Sequence, residues 1–138
     1  MAIIVNNQAA DKETKLIFFV DDEKMILNLV EYVFNTSDEY DVKTFDSGEA
    51  CLENISLNPE LIVLDQNFLS RPGMITGMET LKKIKEYNSA IKVVMLTAQG
   101  NQELVDEFLK AGATKYLTKD KQFLDSLMDV IKEALEMN

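Results

Sequence analysis

Three stretches of this chain are apolar at every position, and that constrains the fold more than any other feature. Leu16-Ile17-Phe18-Phe19-Val20, Leu61-Ile62-Val63-Leu64 and Val93-Val94-Met95-Leu96 show none of the polar alternation of a strand with one wet face. Strands buried on both faces read this way, and they belong to parallel sheets covered by helices. Segments of helical period lie between them, which argues a series of βαβ units.

The first strand is expected at about residues 15–20. The next segment sets Met25, Ile26, Leu29, Val30, Val33 and Phe34 on one face of an amphipathic helix. A short strand follows at about 41–45. Ser47 is a good N-cap for a helix carrying Cys51, Leu52 and Ile55. After the strand at 61–64 comes a long loop, in which Arg71-Pro72-Gly73 signals a turn. Thr76-Gly77-Met78-Glu79 has the spacing of a capping box, so a helix burying Met78, Leu81 and Ile84 should begin there. The strand at 91–96 leads to a helix with Leu104, Val105, Phe108 and Leu109 inward and Gly112 as its C-terminal stop. A last strand at 115–118 precedes a helix from about residue 122 that buries Phe123, Leu127, Val130, Ile131 and Leu135. Five strands and five helices use up residues 15–138, read as one domain. Right-handed crossovers put helices on both faces of the sheet. Residues 1–14 are expected to form a polar, mobile N-terminal arm.

A chain of 138 residues suits a single domain with an ordinary core. The net charge of −10 argues against direct nucleic-acid binding, which needs clustered Lys and Arg. There is no histidine, so a Ser-His-Asp triad, a His-ligated metal and a phosphohistidine on this chain are all excluded. A single cysteine, Cys51, excludes an internal disulfide and reads as a small core residue. No apolar stretch approaches the roughly 20 residues that span a membrane. Neither a basic leader nor a signal core opens the chain. The expectation is a cytoplasmic protein with no membrane insertion.

The strand ends carry the chemistry. Asp21 and Asp22 close the first run, Asp65 the second, Thr97 the third, and Lys119 follows Tyr116-Leu117-Thr118. Open α/β sheets bind ligands outside the carboxyl ends of their strands, so these side chains should meet at one edge. Clustered carboxylates repel unless a cation neutralises them. Magnesium suits an all-oxygen site of this kind. Lys119 then supplies a point charge and Thr97 a hydroxyl for a phosphoryl group, and the small Ala98 leaves it room. Taken singly, each piece has a plainer reading: a solvated strand end for the Asp pair, a turn residue for Asp65, a helix cap for Thr97, a loop charge for Lys119. Their joint order at strand ends favours the site.

With Phe19-Val20-Asp21-Asp22-Glu23, Leu61-Ile62-Val63-Leu64-Asp65, Gly77-Met78-Glu79, Met95-Leu96-Thr97-Ala98 and Ala111-Gly112-Ala113 through Lys119, the chain resembles the receiver domain of two-component response regulators over residues 15–136. The resemblance implies a flavodoxin-like, doubly wound parallel sheet of strand order 2-1-3-4-5. It makes Asp65 the phosphoacceptor. Asp21, Asp22 and Asp65, with the backbone carbonyl of Asn67, would hold Mg2+. Thr97 and Lys119 would contact the phosphoryl oxygens, and Thr97 and Tyr116 would form the switch. Asn67 and Gln99 would border the acyl phosphate and tune its lifetime. The implied partners are a sensor histidine kinase or histidine phosphotransfer domain, and a downstream protein. The chain would catalyse its own phosphorylation and dephosphorylation, as a stand-alone receiver.

Two departures from the family pattern stand out. Pro72 and Gly77 lie seven and twelve residues past Asp65, so the intervening loop is longer than usual. Asp120 stands where the family usually has a proline, so the turn after Lys119 is either trans and rearranged or cis. Two other functions compete with the receiver reading. One is a receiver-like interaction module that works without phosphorylation, against which the retained Asp65, Thr97 and Lys119 argue. The other is a flavodoxin-like cofactor binder, whose phosphate loop Asp21-Asp22-Glu23 would repel.

Overall fold

A computed structural model describes residues 14–66, 73–98 and 102–137. The expected N-terminal arm (apart from Thr14), Asn67, Gln99 and most of the long loop lie outside the described residues. The strands are β1 (Lys15–Val20), β2 (Tyr40–Phe45), β3 (Leu61–Asp65), β4 (Lys92–Thr97) and β5 (Lys115–Thr118). The helices are α1 (Lys24–Phe34), α2 (Gly48–Glu53), α3 (Gly77–Tyr87), α4 (Gln102–Lys110) and α5 (Phe123–Glu136), with a short 3-10 turn at Ile55–Leu57. All strand pairs are parallel, in the order β2-β1-β3-β4-β5. The expected fold class and strand order are therefore observed.

The alternate faces of the apolar strands feed two cores. Ile17, Phe19, Leu61, Val63, Val94, Leu96 and Leu117 pack against α1 and α5. Phe18, Val20, Ile62, Leu64, Val93 and Met95 pack against α2, α3 and α4. This is why the runs carry no polar alternation: every position meets a helix.

Local signals set the helix ends. The Ser47 side chain accepts a hydrogen bond from the Ala50 N–H. Thr76 and Glu79 form both halves of the capping box, at 3.1 and 2.9 Å. Helix α4 ends in a Schellman motif: Gly112 has φ +109°, its N–H reaches the Leu109 carbonyl, and the Ala113 N–H reaches the Phe108 carbonyl.

Two expected faces are corrected. In α1 the buried residues are Leu27, Val30 and Phe34, whereas Met25 is 80% exposed and Leu29 and Val33 face outward with Tyr32. Helix α1 is apolar on nearly all sides, so its period fits two orientations. The sheet takes the one that sets Leu27 and Phe34 against Ile17, Phe19 and Tyr40 in the core. Similarly, Val105 and Phe108 are buried in α4, but Leu109 is exposed near the helix end.

Candidate functional site

Strand register brings the special residues together. Val20 lies opposite Leu64, so Asp21 and Asp65 are each one step past a paired residue and stand side by side. Asp65 lies opposite Leu96, which leaves Thr97 one rung further along β4. Thr97 in turn lies opposite Thr118, and Lys119 follows. Backbone bonds carry the ladder past the strand ends: Asp21 N–H to Phe45, Gln66 N–H to Leu96, and Lys119 N–H to Thr97, all at 2.9 to 3.0 Å. The sheet thus fixes the backbone of the site.

Asp21, Asp65 and Thr97 are buried, and Asp22 is partly so. Asp21, Asp22 and Asp65 each place a carboxylate oxygen within 4.8 Å of the others. Three anionic oxygen donors in that space are a donor set that a hard cation takes. The Lys119 ammonium lies 2.8 Å from Asp21 Oδ2, 2.6 Å from Glu23 Oε1 and 3.5 Å from Asp65 Oδ2. The last is a charge contact at the outer limit of a hydrogen bond.

The electrostatics follow from burial. Burial raises the Asp21 pKa above the usual carboxylate value, although the bonds from Lys119 and the Glu23 N–H oppose the rise. Burial also disfavours the Lys119 ammonium, but the bonds to Asp21 and Glu23 and the charges of Asp65 and Asp21 outweigh it and raise its pKa. A lysine ringed by carboxylates stays charged. Cys51, by contrast, sits in the core at full burial, and its thiol is pushed up to about 12. It is inert packing.

The turn after Lys119 is trans; no described peptide bond is cis. Asp120 replaces proline with a different device. Its side chain accepts from the Gln122 N–H at 2.9 Å, and its carbonyl accepts from Phe123 at 3.2 Å. Such an Asx-type turn leads the chain from Lys119 into α5 without a fixed ring.

Five of the expected residues, Asp21, Asp22, Asp65, Thr97 and Lys119, meet at this edge. Tyr116 stays apart: it is 43% exposed on β5, on the strand face opposite buried Leu117. Two participants escaped the sequence reading. Glu23 contributes its side chain to Lys119 as well as its N–H to Asp21. Glu49, on α2, accepts from the Ile75 N–H at 2.8 Å and pins the end of the long loop. Neither pairing has a sequence signal, because the partners are distant along the chain and the contacts depend on the packed fold.

Comparison with known proteins agrees with this architecture. The family model described as the response regulator receiver domain matches residues 17–132. Sporulation initiation phosphotransferase F of Bacillus subtilis is 30% identical over 122 residues, covering 88% of this chain and 94% of that protein. Chemotaxis protein CheY of Halobacterium salinarum is 29% identical over 125 residues, covering 88% and 97%. The nitrate/nitrite response regulator NarL of Escherichia coli is 33% identical over 120 residues, covering 86% of this chain but only 54% of NarL. This chain thus spans about half of NarL. The crystal structure of the receiver domain of NtrX from Brucella abortus superposes with a TM-score of 0.77 at 28% identity, covering 88% and 99%.

Proposed function

The chain belongs to the response regulator receiver family of two-component systems, and from that premise we propose that it accepts a phosphoryl group on Asp65 and signals by contact with another protein. The donor is a phosphohistidine on a sensor kinase or a histidine phosphotransfer domain. The observation that carries this reading is the meeting of buried Asp65 with a charged lysine, a buried threonine and two further carboxylates.

In the reaction an Asp65 oxygen attacks phosphorus, the N–P bond of the donor breaks, and the imidazole nitrogen keeps the electron pair. The main demand is charge stabilisation and alignment. Lys119 follows the developing charge on the phosphoryl oxygens, held at the site by its backbone bond to Thr97. Thr97 offers a hydroxyl from the neighbouring strand. Asp21, Asp22 and Asp65, with the carbonyl of Asn67, would hold Mg2+. When bound, Mg2+ supplies the divalent positive charge that a cluster of acids lacks. Asn67 and Gln99, which lie outside the described residues, would by the family resemblance tune the lifetime of the acyl phosphate. Composition and the lone buried thiol fit a reducing cytoplasm, and no helix among the described residues is long and apolar enough to cross a membrane.

A direct test of the acidic cluster is Mg2+ titration of the Asp22→Ala variant, followed by tyrosine fluorescence or calorimetry. Loss of a supporting residue around a metal costs about tenfold or more in affinity, and loss of a ligand should cost at least that. The metal-free variant should be as stable as the parent or more so, since one of three repelling carboxylates is gone. Unchanged Mg2+ affinity would remove Asp22 from the metal site.

Output runs through Thr97 and Tyr116. A phosphoryl group at Asp65 draws the Thr97 hydroxyl toward it, and Tyr116 turns inward from its exposed position to reshape the α4-β5 surface. The phosphoryl group acts only through its differential affinity for the two states, so both exist beforehand. Adding beryllofluoride and Mg2+ should shift the Tyr116 ring resonances. Static ring signals would assign output to another surface.

A further inference from the structure

Helix α1 begins on an unusual residue. Its N-cap is Glu23, yet the Glu23 side chain makes no hydrogen bond to the helix it begins. Ser, Thr, Asp or Asn is strongly preferred there, because a short side chain satisfies the free N–H groups of the first turn. Here the longer carboxylate bypasses them and reaches Lys119 Nζ at 2.6 Å, across 96 residues of sequence. Local rules broken in this way are commonly broken at functional sites.

An ammonium has three donors. Lys119 is ringed by three carboxylates: it bonds Glu23 at 2.6 Å and Asp65 at 3.5 Å, and pairs by charge with Asp21 at 2.8 Å. The contact to Asp65 is at the outer limit of a hydrogen bond, so closing the ammonium fully onto a phosphoryl oxygen there draws it away from one of the shorter contacts. Burial decides which. The Asp21 side chain is 0% exposed, so water cannot take the place of Lys119 beside it, whereas the Glu23 side chain is 58% exposed and is taken back by water. Glu23 is the cheaper partner to release.

We propose that Glu23 is a positioning residue that holds Lys119 in the unphosphorylated protein and competes with the phosphoryl group for it. The inference rests on the reading of Asp65 as phosphoacceptor and adds a regulatory element to that site. The Glu23 N–H bond to Asp21 is a backbone contact of 2.9 Å, so changing the side chain leaves it in place. Exposed ion pairs are weak, so the brake is worth a few-fold rather than an on-off change.

The test compares affinity for beryllofluoride, added with Mg2+ to the purified chain, in four proteins: the parent, Glu23→Gln, Lys119→Met, and the double variant. Glu23→Gln should bind about threefold tighter than the parent. In the Lys119→Met background the same substitution should change nothing, because its effect acts through the lysine. The 13Cε and 15Nζ resonances of Lys119 should also move in unliganded Glu23→Gln. Equal affinity of parent and Glu23→Gln overturns the proposal, as does an equal gain without Lys119, which would mean plain charge repulsion. Unmoved Lys119 resonances likewise overturn it. Failure of the parent to bind beryllofluoride at all would instead overturn the phosphoacceptor reading on which it rests.

Discussion

Asp65→Asn should reduce labelling by acetyl phosphate to background while the protein stays folded. The amide has the shape of the carboxylate but is a poor nucleophile toward phosphorus. Its neighbours also predict the effect on stability. Asp65 is buried at the end of β3, within 4.8 Å of the oxygens of Asp21 and Asp22, and only 3.5 Å from Lys119. Among these three neighbours, neutralising it relieves two repulsions and forfeits one longer attraction, and Lys119 keeps both closer partners. The variant should gain up to about 1 kcal/mol in the absence of metal, read from thermal or urea unfolding. Stoichiometric labelling of the variant would mean that another residue accepts the phosphoryl group.

Gly77→Ala should damage the fold and the site together. Gly77 opens α3, and a Cβ there would lie 2.7 Å from Gln66 Cα and 2.9 Å from the Asp65 carbonyl oxygen. Both are backbone atoms at the end of the strand that carries the acceptor, so no side chain can swing aside. Either α3 backs away or the Asp65–Gln66 turn moves. Overpacking of this kind costs about 1–3 kcal/mol, which lowers the melting temperature by roughly 3–10 °C in a chain of this size. Phosphorylation should slow as well. Gly73 provides the contrast. Among the described residues nothing lies within 4 Å of a Cβ there, but its φ is +87°, so Gly73→Ala should carry the strain of a left-handed residue, about 1 kcal/mol. A Gly77→Ala protein with parental stability would mean that α3 does not abut β3 this closely.

Much of the fold was legible because the central strands are covered on both faces and read as unbroken apolar runs. Leu61-Ile62-Val63-Leu64 can sit only between two layers of helix, and the polar residue that ends each run marks the edge where the layers stop. The helix ends were legible where side chains cap them, as at Ser47 and Thr76. Orientation of α1 was not, because Met25, Leu29 and Val33 form as good a stripe as Leu27, Val30 and Phe34. The choice belongs to the sheet. The row that was turned outward, including Tyr32 at 80% exposed, begins one turn from the acidic site. Thr80 shows a similar limit. A polar residue on the buried face of α3, it is fully buried because its hydroxyl bonds to the Thr76 carbonyl at 2.7 Å, a contact that no apolar pattern signals.

In the site, the members at strand ends were legible from their positions alone, since parallel strands bring their carboxyl ends to one edge. The pairing of Lys119 with Glu23 was not, because it depends on how α1 leaves β1 and on the turn that Asp120 makes after β5. That turn replaces a proline by an Asx-type bond and still sets the lysine against Asp21, Glu23 and Asp65.

The central claim is that Asp65 forms the acyl phosphate, and chemical trapping tests it most directly. The chain is incubated with acetyl phosphate and Mg2+, reduced with borohydride, digested and sequenced by mass spectrometry. Borohydride converts an aspartyl phosphate to homoserine and leaves free aspartate unchanged. The account predicts homoserine at position 65, dependent on Mg2+ and absent from Asp65→Asn. Homoserine at position 21 or 22 instead, or no reducible residue in the phosphorylated chain, would contradict it.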